Sequence, residues 1–135
     1  MRWFNKSKPR EIWDEEIRCP MGDIEAAHRI RDVCRSAADS AETVGRLTDG
    51  AVAKKKKSDR NKDKDASERY QRAAKIAMEI ALRISDDLLR DSAVHEILDL
   101  CLKADDTKTA QILFRAIQTA SVRGDVLNEH PALRQ

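Results

Sequence analysis

Glycine and proline are scarce, four and three residues in 135, and no stretch alternates apolar with polar residues on a β-branched background. Both absences argue against a sheet. Charges interrupt every apolar run within a few residues, so no segment approaches the roughly 18–20 residues that a membrane span requires. The basic start, Met1 to Arg10, is followed by no apolar segment and small-residue cleavage site, which a secretory signal needs. Only three cysteines occur, Cys19, Cys34 and Cys101, with no C-x-x-C pair. That usage suits unpaired thiols in a reducing compartment, and the expected location is cytoplasmic. There is no glycine-rich phosphate loop and no recognisable nucleophile motif. Cys19, His28 and Cys34 fit no zinc spacing, and His95 with Asp99, one helical turn apart, reads as a routine surface pair. No enzymatic activity, cofactor or metal is therefore expected.

What is present is charge and alanine. Charged residues make up 37% of the chain, while opposite signs nearly cancel to +2. Eighteen alanines supply helix propensity without bulk. Asp14–Arg18, Glu25–Arg29, Glu42–Arg46, Glu68–Arg72, Glu79–Arg83 and Asp86–Arg90 each place an acid four residues before an arginine. Such pairs stack on a helix and would mean little in a sheet. The expected class is all-α, either an antiparallel helix bundle or a short stack of helix hairpins.

Organisation follows from the charge blocks and breakers. Residues 1–8 form a basic aromatic arm, and residues 9–53 an N-terminal helical segment. In the latter a short helix over 9–18 is broken by Cys19-Pro20-Met21-Gly22. Asp23 then stands as the N-cap of a longer helix. Its narrow, alanine-rich stripe, Ala27, Ile30, Cys34, Ala37, Ala41, Val44 and Leu47, suits close approach of a helix or self-association. Gly45 and Asp49-Gly50 weaken its end. Residues 54–65 carry only polar and charged side chains, with nothing to bury, and are read as a solvated linker. From residue 66 to 130 the pattern is clearer. Asp65-Ala-Ser-Glu68 has capping-box spacing, and Tyr70, Ala73, Ala74, Ala77, Ile80, Ala81 and Ile84 line one face. Ser85-Asp86-Asp87 caps a second helix burying Leu89, Ala93, Ile97, Leu100 and Cys101. Ala104-Asp105-Asp106 makes a turn into a third helix with Ala110, Leu113 and Phe114, and a shorter piece surrounds Val122 to Leu127.

This region also matches itself at a fixed offset. Ala77 falls on Ala110, Ile80 on Leu113, Ile84 on Ile117, Arg90 on Arg123 and Val94 on Leu127. The period, about 33 residues, is the kind that helix hairpins give when each buries its apolar face only against a neighbour. Here residues 66–130 resemble the tetratricopeptide-like family of helix-hairpin repeats. Ile97 and Cys101 sit where that family places its first-helix Leu and Tyr, and Ala110 and Phe114 at its second-helix small residue and aromatic. Ala104-Asp105-Asp106 replaces the glycine-containing turn, Val94 stands at the Trp position, Leu98 at a small one, and Val122 at the closing proline. The resemblance implies a protein-binding scaffold without chemistry of its own.

Two segments carry candidate contacts. Trp3, Phe4 and Trp13 are three of only five aromatics and lie among Arg2, Lys6, Lys8 and Arg10. They read either as anchors for a partner protein or as a cap over an apolar end of the helix stack. Lys54, Lys55, Lys56 and Lys57 are candidate phosphate contacts, although aspartates follow and no aromatic lies among them for base stacking. The expected function is a non-enzymatic interaction module or adaptor that recognises a peptide or helix. The alternative is a nucleic-acid-associated regulator using residues 1–10 and 54–64.

Overall fold

The computed structural model describes residues 12–14, 21–48 and 57–134. Among them are five α-helices, a 3-10 turn at each end and no strand. The helices are α1 (Asp23–Thr48), α2 (Lys57–Ala81), α3 (Asp87–Lys103), α4 (Thr107–Ala116) and α5 (Ala120–Glu129). The 3-10 turns are Ile12–Asp14 and Pro131–Leu133. No described helix is long and apolar enough to cross a membrane.

Successive helices reverse direction because their connections are short. Arg69 on α2 reaches Ser40 on α1, while Ser85, just past the end of α2, reaches Asp23 at the start of α1. Alternate helices are therefore parallel. On one side Arg31 meets Glu96 and Gly45 meets Lys103; on the other Asp91 meets Thr119 and Asp99 meets His130. α1, α3 and α5 thus run side by side, with α3 in the middle of the row.

This central place explains α3. It buries Ala93, Val94, Ile97, Leu98, Leu100 and Cys101 around most of its circumference, which is what a helix with neighbours on several sides requires. Each fully covered leucine or isoleucine contributes roughly 1.5–3 kcal/mol of burial. α1 packs on both α2 and α3, and its buried apolar set, Ala26, Ile30, Val33, Ala37 and Ala41, spaced by fours and threes, forms one stripe that Ser40 and Gly45 widen on either side. Cys34, Val44 and Leu47 are only half-buried at its edge. Ala37 and Ala41, offered for self-association, are covered inside the chain. On α2, Tyr70, Ala73, Ala77, Ile80 and Ala81 are buried, as is Ile84 beyond it. Ala110, Leu113 and Ile117, one period further on, are buried as well.

Two details differ from the sequence reading. Residues 57–65 belong to α2 and not to a linker. Once residues 66–81 are anchored by burial, each added turn extends an existing nucleus, and propagation asks far less of the chain than initiation does. Charged residues with helix-compatible side chains then suffice without an apolar face. Asp23 is also not the N-cap of α1. Ala26 N donates to Gly22 O at 2.9 Å, which places Gly22 at the cap and Asp23 in the first turn. The Asp23 carboxylate turns outward to accept from Ser85 N at 3.0 Å, Ser85 Oγ at 2.9 Å and Asp86 N at 3.0 Å. These bonds lower its pKa, that from the Ser85 backbone most.

The turns are closed by local chemistry. Asp86 caps α3 by accepting from Leu89 N at 2.9 Å. At the other end Asp105 adopts φ 57°, Asp106 N donates to Cys101 O, and Asp105 N donates to Leu102 O. That pairing satisfies the last carbonyls of α3. Asp106 then caps α4 through Thr109 N and accepts the Tyr70 hydroxyl at 2.8 Å. Arg123 donates to Phe114 O and Ile117 O, closing the end of α4 from α5.

Candidate functional site

Where α1 and α3 run parallel their backbones diverge from a tight crossing. The crossing is at Gly45, where a Cβ would overlap the Lys103 carbonyl oxygen. Only glycine permits that approach, so it binds the two helices rather than ending α1 early. Beside it lies a depression of about 330 Å3 between Glu42 and Arg46 on one wall and Leu102 and Asp105 on the other. Lys103 is shared with a second depression, of about 370 Å3, further along the same seam. Together they follow α1 from Arg31 to Arg46, about 22 Å at the helical rise.

The larger depression has a floor of Cys34, Ala38 and Leu100 and walls of Arg31 and Arg35 opposite Glu96 and Asp99. Arg31 Nε donates to Glu96 Oε1 at 3.1 Å across its mouth. Small side chains on α1 create the space, since Cys34 and Ala38 stand where a leucine would fill it. The Cys34 thiol is pushed up to about 12 by burial and then by the charges of Glu96, Cys101 and Asp99. It stays protonated at neutral pH, so the floor behaves as a small apolar surface and not as a nucleophile. The Cys101 thiol beneath is likewise pushed up to about 11 by burial.

Asp99 has a second set of neighbours on its far side. His130 Nε2 lies 2.8 Å from Asp99 Oδ1, His95 Nε2 3.3 Å from Glu129 Oε1, and His95 Nε2 3.7 Å from Asp99 Oδ1. His130 Nε2 to Glu129 Oε1 closes the ring at 3.7 Å. α3 contributes His95 and Asp99 one turn apart, and the end of α5 contributes the adjacent Glu129 and His130.

The residues singled out from sequence lie elsewhere. Trp3, Phe4, Lys54, Lys55 and Lys56 fall outside the described residues, and Lys57 opens α2. Trp13 is 1% exposed, packed against α1 and α2 with Arg69 stacked 5.3 Å from its ring centre. A side chain so covered is not available as a partner anchor, which corrects that reading of Trp13. Sequence reasoning misses the groove because its two walls, Arg31 and Glu96 among them, stand far apart in the chain. It finds His95 and Asp99 but has no signal linking them to Glu129 and His130. Comparison with family models, curated proteins and solved structures finds no match for the chain.

Proposed function

We propose that the protein is a non-enzymatic interaction module, an adaptor that takes a peptide or a helix of a partner protein into the α1/α3 groove. The groove itself carries this reading: a long furrow with a small-residue floor and charged walls of both signs. A floor of Cys34, Ala38 and Leu100 admits the ridge of an incoming side-chain row, while Arg31, Arg35, Glu96 and Asp99 set its register by charge. The protonated Cys34 supports reversible docking over covalent chemistry. The burial of Ala77, Ile80 and Ile84 together with Ala110, Leu113 and Ile117 supports the tetratricopeptide-like hairpin reading, and with it a scaffold role.

Filling the floor tests it. Ala38→Trp occupies the depression from an already half-exposed position and is expected to leave helicity intact while cutting partner capture from cell extract by more than about tenfold, since hot-spot contacts of this kind are worth about 2 kcal/mol or more. Capture unaffected by this change but lost on deleting residues 1–8 would move the binding surface to the N-terminal arm.

A further inference from the structure

We infer that His95, Asp99, Glu129 and His130 form a zinc-class cation site that clasps the end of α5 to α3. Two imidazole nitrogens and two carboxylate oxygens alternate around a ring, with successive separations of 3.7, 2.8, 3.7 and 3.3 Å. A tetrahedral cation with ligand distances of about 2.0–2.2 Å holds its donor atoms about 3.3–3.6 Å apart; the separations of 3.3 and 3.7 Å lie close to this, and the hydrogen-bonded His130–Asp99 pair at 2.8 Å has to open for the ion to enter. The donor atoms of His95, Asp99 and Glu129 all lie within 4.8 Å of one another, and His130, outside that group but 2.8 Å from Asp99, moves in as the fourth ligand.

The charge and the chemistry agree. Two carboxylates offset the 2+ charge, and two imidazoles favour a borderline transition cation over Mg2+ or Ca2+, which prefer all-oxygen shells. The cation takes over the place of the protons shared between each imidazole and its carboxylate. His130 is the C-cap residue of α5 and Glu129 its last helical residue, so the helix dipole also favours positive charge there.

Three of the ligands are grouped before any ion arrives, and the fourth is held nearby. His95 and Asp99 stand on α3, which is buried around most of its circumference. His130 N donates to Val126 O at 2.7 Å, and its carbonyl accepts from Leu133 N at 3.0 Å. Pro131 restricts the histidine backbone, and Leu133, 6% exposed, pins the following turn into the core. With His130 drawn in, four protein ligands leave no open position for a reacting water, so the role is structural. This inference does not depend on the groove reading.

The test uses the full chain, reduced, with Zn2+ or Co2+ as the probe. Calorimetry is expected to show one equivalent of Zn2+ bound at micromolar or tighter affinity. A hundredfold excess over the dissociation constant should raise Tm by about 5–10 °C. His95→Gln and His130→Gln, both at partly exposed positions, should keep far-ultraviolet helicity and weaken binding by more than about tenfold. Co2+ should give the visible bands of a tetrahedral site without a thiolate charge-transfer band. Absence of heat and Tm shift at sub-millimolar zinc overturns the proposal. So does unchanged affinity in both histidine variants, or a thiolate band, which would assign the ion to the cysteines.

Discussion

Asp91 shows how much one side chain decides. It is 1% exposed, yet its Oδ2 accepts from Thr119 Oγ1 at 2.6 Å, Thr119 N at 2.8 Å and Gln118 N at 3.1 Å, with Arg90 3.7 Å from Oδ1. Burial pushes its pKa upward, but the Thr119 and Gln118 hydrogen bonds and Arg90 outweigh it, and the net direction is down. Asp91→Ala strands those donors and should cost roughly 2–4 kcal/mol in chemical denaturation. Asp23 and Asp91 both hold their protons less tightly when folded than when unfolded. Their contribution is therefore complete above the ordinary carboxylate range. It drains away as the pH falls through roughly 4 and on to the lower folded values. Urea midpoints measured between pH 6 and 3 should fall steeply, and more shallowly in Asp91→Asn. The sequence marks Asp23 as a capping residue from its position alone. Its actual partners, Ser85 and Asp86, lie two helices further along the chain, beyond any local rule.

Among the elements, the seam between α1 and α3 depends on the absence of a side chain at Gly45. Alanine is the better helix former by up to about 1 kcal/mol, but its methyl meets the Lys103 backbone, which cannot swing aside. Gly45→Ala should therefore destabilise by about 1–3 kcal/mol net, the usual range for overpacking, measurable as a fall in Tm. The elements from residue 66 onward are readable because their signals are local: the Tyr70-to-Ala81 stripe, the Asp86 cap and the turn at residues 104–106. Residues 57–65 mislead because a composition rule asks whether a segment folds alone, whereas these turns continue a helix already secured further on. The groove escapes for the opposite reason, since neither wall has a pattern of its own and only the α1/α3 pairing creates it.

For the molecule as a whole, Trp13 is buried against α1 and α2 beside Arg69, and Leu133 is buried in the turn after α5. Between them the same device appears twice. A carboxylate on one helix gathers two backbone amides and a hydroxyl from a connection further along, Asp23 at Ser85-Asp86 and Asp91 at Gln118-Thr119. A row of helices held only by nearest-neighbour burial can fray from either end, one helix at a time. These two stitches tie the first helix to the entrance of the third, and the third to the entrance of the fifth. Peeling α1 away leaves the Ser85 and Asp86 amides unanswered, and peeling α5 away leaves the Asp91 carboxylate without its donors. Calorimetry should accordingly record one melting transition whose van't Hoff and calorimetric enthalpies coincide. The chain would then behave as a single cooperative block, short enough that losing any part means losing all of it.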